Sequence, residues 1–482
     1  MYEVIRRLIF PVVLAILAIG LFVQSKAADK DADRPALVAS EPAAPRLSTP
    51  LLSARRLPEQ LQTPEANRRL VASLDQIVSE LPEQSCFTVV EGGEDRYGYN
   101  SSLPLIPAST EKLITAVAAL EEFGADHTFK TQVFTQSEPA EGVIDGNVWL
   151  VGRGDPLLMT SDYAGRYLDV FPYTDLDDLA NQLIEIGINT ITGAVVGDET
   201  YFDQIRWVES WPERFRAGAQ NQTGPLSALS VNDGFVNWDT ENTANSLNTP
   251  ATEPAQFAAA LFDDLLEERA VRIFQSAYAD QLPSEATTKL GEVESPPMSE
   301  IVKQMLQTSD NTTAEILVKA LGAKSGNVGS TNSGRQVIEE VITSLTSNEN
   351  SLAVFDGSGL DPANRVSCSI LVELLEDEKF SDDLRAGLAV AGESGTLRNR
   401  LVGSSAEGRL LGKTGTLNDV KSLAGIVHTL EDRTLTFALI SNADPMPSDV
   451  LDVHDQLILS LVAYPTGPPL SLLVPLPVVV TN

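Results

Sequence analysis

The chain has 482 residues, of which 43% are hydrophobic and 21% charged, a composition typical of a globular protein with more than one domain. Its 67 acidic and 34 basic residues give a formal net charge of −33, which argues against nucleic-acid binding because phosphate contacts need a basic face. The three histidines (His127, His428 and His454) show no ligand spacing, so a zinc site or a serine–histidine–aspartate triad has little to build on.

The N-terminal segment has the pattern of an export signal. Arg6 and Arg7 precede an uncharged run over residues 8–23, which is short for a full membrane span. Residues 1–27 are therefore predicted to be a signal peptide or a retained N-terminal anchor, and both alternatives stay open. Residues 28–60 lack periodicity and are predicted to be a disordered linker. We expect the protein to work outside the cytoplasmic membrane.

A helix and a hairpin are predicted next. Apolar residues recur at helical spacing over residues 64–81, and residues 86–90 form a strand candidate. The glycine-containing stretch 91–95 is the predicted turn, and residues 96–99 begin the return strand. These elements lead into the segment around which the chain is organised.

That segment is Pro107-Ala108-Ser109-Thr110-Glu111-Lys112, which opens an apolar helix ended by Gly124. Ser109 and Lys112 are three residues apart and are predicted to share one helix face. A neutral amine close to a serine hydroxyl can take its proton and so create a nucleophile. Taken alone, however, the pair also fits a helix-capping serine beside a surface lysine.

The composition and periodicity of the sequence change between residues 128 and 292. Short strand candidates, at residues 148–151, 191–196 and 226–231, alternate with glycine, asparagine and aspartate turns. We interpret this stretch as an inserted β-rich region of one or two domains. The residues on either side of it, 61–127 and 293–465, are predicted to form one domain.

Beyond the insertion the pattern is first helical and then strand-like. Helices are predicted over residues 312–321, 337–345, 367–375 and 450–461, with a loop at 324–334. Three consecutive strand candidates, residues 409–417, 422–430 and 434–441, have connections short enough for antiparallel pairing. The proline-rich tail, residues 466–482, is predicted to be disordered.

Two further clusters join Ser109 and Lys112. Ser309-Asp310-Asn311 stands before a helix, where a hydroxyl can pass a proton and an amide can hold a substrate carbonyl. Lys413-Thr414-Gly415-Thr416 lies on the first of the three strands, where an amine and hydroxyls can bind a carboxylate and glycine permits close approach. Each cluster alone is common, but the order of all three on a helix, a loop and a strand is hard to obtain by chance.

The chain has two cysteines, Cys86 and Cys368. In an exported protein they can form one disulfide, but two separate buried thiols fit the sequence equally well.

With these three motifs the sequence resembles the class C low-molecular-mass penicillin-binding proteins, which are D-alanyl-D-alanine carboxypeptidases and endopeptidases. The resemblance covers about residues 50–460. It includes Leu150–Pro156, Gly197–Asp203, Ser227–Asn232, Ala314–Leu317, Asp356–Leu360 and Ala391–Leu397. The 200 residues between Ser109 and Ser309 fit a family that carries extra domains between its first two motifs.

The resemblance implies an α+β fold: a penicillin-binding-protein/β-lactamase-like transpeptidase core, with an antiparallel sheet and flanking helices, interrupted by the β-rich insertion. It implies that Ser109 attacks the carbonyl between two D-alanines, with Lys112 as general base. Ser309 relays the proton to the leaving amine and Asn311 orients the substrate. Lys413, with Thr414 and Thr416, binds the terminal carboxylate beside Gly415.

The resemblance further implies peptidoglycan stem peptides as substrates, β-lactams as inhibitors, and no metal or other cofactor. Two alternatives remain. A catalytically quiet homologue would only hold peptidoglycan, although none of the motif residues is degraded. A β-lactamase would need a deacylating glutamate, which cannot be placed in this sequence. The oligomeric state is not predicted.

Overall fold

The computed structural model of this protein describes residues 15–22, 58–167, 170–216, 221–238, 248–326, 328–347 and 351–465. The described residues from 62 to 465 form one compact unit, and residues 15–22 with 58–61 belong to a second one. Most of the predicted export signal (1–27), most of the predicted linker (28–60) and the tail (466–482) lie outside the described residues. Within the described ranges, no helix combines the length and the apolar character that crossing a membrane requires.

The helices and strands are numbered here in chain order. The helices are α1 (15–22), α2 (Pro58–Val78), α3 (Glu111–Phe123), α4 (Ser161–Ala164), α5 (Leu176–Glu185), α6 (Pro254–Glu268), α7 (Met298–Thr308), α8 (Asn311–Lys324), α9 (Thr331–Leu345), α10 (Cys368–Glu376), α11 (Ser381–Gly387) and α12 (Val450–Val462). The strands are β1 (Gln84–Glu91), β2 (Glu94–Tyr99), β3 (Lys130–Thr135), β4 (Val143–Ile144), β5 (Val148–Val151), β6 (Leu158–Met159), β7 (Thr174–Asp175), β8 (Thr190–Ile191), β9 (Val195–Asp198), β10 (Phe235–Asn237), β11 (Thr249–Pro250), β12 (Arg272–Ile273), β13 (Tyr278–Ala279), β14 (Thr288–Glu294), β15 (Ala389–Val390), β16 (Leu410–Leu417), β17 (Val420–His428) and β18 (Thr434–Asn442).

A six-stranded antiparallel sheet, in the order β15-β16-β17-β18-β1-β2, forms the centre of the larger unit. The three strands predicted between residues 409 and 441 are β16, β17 and β18, and they pair as antiparallel neighbours. Side chains alternate across β18, so that Phe437 and Leu439 join one hydrophobic core with α2 and α12. Ala438 and Ile440 join the opposite core with α3, α8 and α10. Helices therefore cover both faces of this sheet.

The segment between α3 and α7 builds a second sheet, of five strands in the order β13-β9-β5-β3-β14. Its first and last strands in the chain, β3 and β14, pair antiparallel, so the two ends of the insertion lie side by side. Helices α5 and α6 contribute Leu179, Leu183 and Phe262 to a separate buried core. The sequence pattern predicted only strands in this segment, and the structure adds the two helices α5 and α6.

The strand predicted at residues 226–231 is a buried coil in the structure. Its Ala228 carbonyl accepts a hydrogen bond from Gly154 N at 2.8 Å rather than entering a continuous ladder. A Cβ atom at Gly152 would lie 2.2 Å from the same carbonyl oxygen, so the two segments pack backbone against backbone. Residues 226–231 are therefore apolar because they are buried, and not because they form a strand.

Cys86 and Cys368, both fully buried, form a disulfide with a Cα–Cα distance of 5.9 Å. The structure thereby selects one of the two alternatives that the sequence left open. The bridge joins β1 to the first residue of α10 across a sequence separation of 282 residues. It therefore links the two chain segments that the insertion separates.

Candidate active site

Ser109 lies in a 3₁₀ turn, Ala108–Thr110, that leads directly into α3. Ala108 has a φ of 49°, a left-handed conformation that is costly for a residue with a Cβ atom. The hydroxyls of Ser422 and Thr110 both donate to the Pro107 carbonyl, at 2.6 and 2.8 Å, and hold this backbone in place. Ser109 therefore lies immediately before α3, on a 3₁₀ turn whose backbone is wound more tightly than an α-helical turn.

Lys112 is fully buried, and its Nζ atom has three partners. It lies 3.2 Å from Ser109 Oγ, 2.6 Å from Asn311 Oδ1 and 2.6 Å from the Ser358 carbonyl oxygen. As an ammonium ion Nζ donates to all three oxygens, whereas in the neutral amine the two oxygens that only accept, Asn311 Oδ1 and the Ser358 carbonyl, take its two hydrogens. The lone pair of that amine is then left for the Ser109 hydroxyl proton, which is the arrangement a general base needs.

Burial lowers the pKa of Lys112 from 10.5 to about 8, because the low-polarity interior disfavours the ammonium form. The carboxyl groups of Asp356, Glu315, Asp310 and Glu111 act in the opposite direction and limit the change. A lysine with a pKa near neutrality has a substantial neutral fraction and can accept a proton.

Ser309 and Asn311 stand at the junction of α7 and α8. Ser309 ends α7 in the left-handed conformation, with a φ of 61°, and Asp310 caps α8 by accepting a hydrogen bond from Thr313 N at 3.1 Å. Asn311 is the first residue of α8, where its Oδ1 accepts from Lys112 and its Nδ2 donates to the Gln222 carbonyl at 2.9 Å. The insertion thus supplies Gln222 as a partner of this asparagine.

Lys413 lies on β16 and is also fully buried. Its Nζ donates to Ser309 Oγ and to the Thr414 carbonyl, both at 2.7 Å. Burial, and then the charge of Lys112, lower the pKa of Lys413 well below its usual value. The structure therefore directs the Lys413 amine to Ser309, while Thr414 and Thr416 face the open cleft.

The strand β16 runs close against the Ser109 turn. A Cβ atom on Gly415 would lie 2.2 Å from Ser422 Oγ, 2.8 Å from the Pro107 carbonyl oxygen and 2.9 Å from Ser109 N. Cβ atoms do not come this close to other heavy atoms, so only glycine at position 415 lets β16 lie this near the Ser109 turn. The close backbone approach brings the amide of Ser109 and the strand that carries Thr416 to the same cleft.

The cleft has a volume of about 640 Å³ and is lined by Ser109, Gln222, Thr308, Ser309, Asn311, Leu360, Thr396, Arg400, Thr414, Gly415, Thr416, Ser422 and Leu451. All predicted site residues except the two lysines line it, and the lysines lie buried beneath. The cleft also holds polar residues that the sequence analysis did not single out, namely Thr396, Arg400 and Ser422. Thr396 Oγ1 accepts a hydrogen bond from Thr414 Oγ1 at 2.7 Å.

Three buried carboxyl groups near Lys112 were also missed. Glu111, Glu315 and Asp356 are each fully buried, and burial raises the pKa of all three. Glutamate and aspartate are usually solvated, so neither composition nor periodicity marks them. One signal in the sequence could have identified them, because each lies inside a quoted motif. Glu111 lies between Ser109 and Lys112, Glu315 in Ala314–Leu317 and Asp356 in Asp356–Leu360.

This geometry is that of a serine-acylating peptidase of the Ser-x-x-Lys type. One buried lysine contacts Ser109, a second contacts Ser309, and Asn311 lies between the two serines. The family model described as D-Ala-D-Ala carboxypeptidase 3 (S13) family matches residues 70–253 and 240–461. The chain belongs to this family of serine peptidases.

Curated relatives and solved structures agree with this assignment. The D-alanyl-D-alanine carboxypeptidase of Actinomadura sp. (strain R39) is 30% identical over 442 residues, covering 77% of this chain and 79% of that protein. The structure of penicillin binding protein 4 (dacB) from Haemophilus influenzae has a TM-score of 0.67 and 21% identity, covering 80% of this chain and 98% of that one. The same protein complexed with a novel β-lactam has a TM-score of 0.59 at 21% identity and the same coverage. The structural likeness shows the α+β transpeptidase core predicted from the sequence.

Proposed function

We propose that this peptidase removes the terminal D-alanine from peptidoglycan stem peptides through an acyl-enzyme on Ser109. The observation that carries the proposal is the set of three contacts of Lys112 Nζ, since the neutral amine gives its two hydrogens to Asn311 and Ser358 and keeps its lone pair for the Ser109 hydroxyl. The same chemistry cleaves a D-alanyl cross-link, because the acyl donor is again a D-alanine carbonyl and only the leaving amine differs. D,D-endopeptidase action is therefore part of the proposal.

In the acylation step, Lys112 takes the proton of the Ser109 hydroxyl while Ser109 Oγ forms a bond to the carbonyl carbon of the scissile peptide. The carbonyl oxygen becomes an oxyanion, and in this proposal the backbone N–H groups of Ser109 and Thr416 stabilise it. Removing one such donor in another serine peptidase raises the barrier by about 3–4 kcal/mol. The close approach of Gly415 to Ser109 N supports this assignment.

Collapse of the tetrahedral intermediate breaks the carbon–nitrogen bond and releases D-alanine. The departing nitrogen takes the proton of Ser309 Oγ, and the proton that Lys112 took from Ser109 restores the Ser309 hydroxyl, which Lys413 Nζ holds at 2.7 Å, so both lysines end in the protonation states in which they began. Because Lys413 is buried against Ser309, the hydroxyls of Thr414 and Thr416 make the direct contacts to the substrate carboxylate, and Lys413 supports this site from beneath through its contacts with Ser309 and the Thr414 carbonyl. Water then hydrolyses the ester and returns Ser109.

Mass spectrometry of the penicillin-treated protein tests the proposal. We expect one penicillin adduct per chain, carried by the peptide that contains Ser109, because the β-lactam amide occupies the place of the scissile bond. Ser309 and Ser422 also line the cleft and serve as internal controls for the position of the adduct. A Ser109→Ala variant that still carried the adduct, or released D-alanine at the wild-type rate, would refute the proposal.

The same experiment separates the alternatives. A protein that binds stem peptides but forms no adduct and releases no D-alanine is a quiet peptidoglycan-binding homologue. A protein that hydrolyses many β-lactam molecules per chain is a β-lactamase. A slowly released adduct together with D-alanine release identifies the carboxypeptidase.

The rate of acylation by penicillin is expected to rise with pH through about 8. Below that pH Lys112 is mostly an ammonium ion and cannot accept a proton, so each further unit of acidity lowers the rate about tenfold. Stopped-flow labelling with a fluorescent penicillin between pH 6 and 9.5, with thermal unfolding recorded at each pH, measures this dependence. A rate that stayed flat from pH 6 to pH 9 would contradict the assignment of Lys112 as the base.

We place this activity outside the cytoplasmic membrane, where stem peptides are found. The uncharged run at residues 8–23, preceded by two arginines, supports export by an N-terminal signal. Sequencing the N-terminus of the protein made in its own host distinguishes a cleaved signal from a retained anchor.

A further inference from the structure

Two stretches that carry the family resemblance, Ala314–Leu317 and Asp356–Leu360, meet behind Lys112, and only the Ser358 carbonyl of the second has been given a role so far. Glu315, on α8, directs its carboxyl group at the backbone of the second stretch. Glu315 Oε1 accepts hydrogen bonds from Gly357 N at 3.0 Å and from Ser358 N at 2.8 Å. The peptide on the other side of Ser358 then points its carbonyl oxygen at Lys112 Nζ, 2.6 Å away.

The direction of that carbonyl matters to the reaction. The Ser358 carbonyl and Asn311 Oδ1 take the two hydrogens of the neutral Lys112 amine, and the lone pair is left for Ser109. If the Ser358 carbonyl turned away, the amine could rotate and its lone pair would lose its alignment with the hydroxyl proton. We propose that Glu315 is a positioning residue for the catalytic base, acting through the Gly357–Ser358 backbone; this inference rests on the proposed function.

The rest of the loop has other anchors. Asp356 accepts hydrogen bonds from Gly359 N, Asp361 N, Asn364 Nδ2 and Trp211 Nε1 at 2.6–2.8 Å, so it fixes the later half of the loop. The N–H groups of Gly357 and Ser358 instead depend on Glu315. Each buried N–H group that loses its acceptor costs about 1–3 kcal/mol, enough to make the loop adopt another backbone path.

Steric contacts leave the loop little room on the other side. A Cβ atom on Gly357 would lie 2.3 Å from Val318 Cγ2, and the Gly357 carbonyl accepts a hydrogen bond from Thr115 Oγ1 at 2.7 Å. The loop is therefore held between α8, which carries Glu315, and α3, which carries Lys112. This arrangement connects the helix of the second motif to the base of the first.

An oxygen acceptor, rather than a negative charge, is what the loop requires from Glu315. Burial and the neighbouring Asp356 raise the pKa of Glu315 well above its ordinary value, which favours the neutral carboxyl group. Its second oxygen, Oε2, has no hydrogen-bond partner within the described part of the chain. A glutamine keeps the accepting oxygen at the same distance and is expected to replace Glu315.

Three variants of Glu315, compared with wild type, test the inference by the kcat and KM of D-alanine release. Glu315→Leu removes the acceptor and is expected to lower kcat about 100-fold with KM within about threefold, since Glu315 does not line the cleft. Glu315→Gln is expected to retain kcat within about fivefold. Glu315→Asp withdraws the oxygen from the loop but keeps the acid, so its kcat is expected to fall about as far as that of Glu315→Leu.

The matched control is Glu339→Leu, because Glu339 Oε1 also accepts a loop hydrogen bond, from Val354 N at 3.1 Å, without contacting the Lys112 network. Its kcat is expected to equal that of the wild type. Thermal unfolding of each variant restricts the comparison to folded protein, and Glu315→Asp remains informative should Glu315→Leu fail to fold.

The inference is overturned if Glu315→Asp or folded Glu315→Leu keeps the wild-type kcat, or if Glu315→Gln is as impaired as Glu315→Leu. A loss that appears only in KM also overturns it. A wild-type protein without penicillin adduct or D-alanine release would instead defeat the proposed function, so the two failures are distinguishable.

Discussion

Lys112→Met is expected to lower the rate of acylation by penicillin about 10³- to 10⁴-fold while leaving the protein folded. The methionine side chain has similar length but no lone pair that can take the Ser109 proton, so the variant loses general-base catalysis. The cleft surface is unchanged because Lys112 is fully buried beneath it. Stopped-flow labelling with a fluorescent penicillin measures the rate, and non-covalent binding of a stem peptide checks that the cleft is intact.

Two opposing effects decide the stability of this variant. Holding the pKa of Lys112 at about 8 instead of 10.5 costs the folded state about 3 kcal/mol. The cost is fully present below pH 8 and disappears as the pH rises to 10.5, so the variant gains this amount at pH 7. Against it, Asn311 Oδ1 and the Ser358 carbonyl lose their donor, at about 1–3 kcal/mol each.

These terms nearly cancel, so Tm is expected to stay within a few degrees of the wild-type value. Lys303→Met is a suitable control, because Lys303 lies on α7 and forms a partly exposed ion pair with Glu300. Its acylation rate is expected to match the wild type. Acylation of Lys112→Met within tenfold of the wild-type rate would show that another group serves as the base.

The parts of the fold that the sequence predicted are those in which local pattern and tertiary packing agree. The strands β17 and β18 carry apolar runs, over residues 423–427 and 437–440, that fit a sheet covered on both faces, and the short turns that join β16, β17 and β18 leave only antiparallel pairing. The helix α9 shows the opposite case. A loop was predicted over 324–334, but the helix begins at Thr331, where the hydroxyl of Ser330 caps it by accepting from Ser333 N.

Gly334 explains why the start of α9 looked like a loop. A Cβ atom at this position would lie 1.8 Å from the Val318 carbonyl oxygen, so α8 and α9 pack too closely there for any other residue. A glycine required by a helix–helix contact is indistinguishable in sequence from a glycine of a turn. The helices α5 and α6 contain no glycine, so this ambiguity does not explain why they were missed; apolar residues such as Leu176, Leu179 and Leu183 recur there at helical spacing.

The five residues Ser109, Lys112, Ser309, Asn311 and Lys413 could be named from the sequence because their spacing and order are distinctive. Their expected roles came from the family resemblance, but the position of Lys413 beneath the cleft could not be predicted. That Lys413 faces Ser309 from below the cleft depends on burial, which the spacing of β16 does not reveal. The buried carboxyl groups behind Lys112 depend on three elements distant in sequence, so only coordinates bring them together.

Removing the Cys86–Cys368 disulfide is expected to lower the free energy of unfolding by a large amount. A bridge that closes a loop of 282 residues restricts the unfolded chain by about 5 kcal/mol in the chain-entropy description. The double variant Cys86→Ala/Cys368→Ala is therefore expected to unfold at a much lower denaturant concentration and temperature. Removing one cysteine alone is expected to have nearly the same effect, since either change opens the loop.

Chemical denaturation followed by fluorescence measures the loss, and alkylation of the unfolded, unreduced protein counts free thiols. We expect no free thiol in the wild type and one in each single variant. Because Cys86 lies in β1 and Cys368 begins α10, neither residue lines the cleft, and the acylation rate of the folded double variant is expected to stay within about twofold of the wild type. Two alkylated cysteines in unreduced wild-type protein, or an unchanged unfolding midpoint in the double variant, would show that the two segments are held together by packing alone.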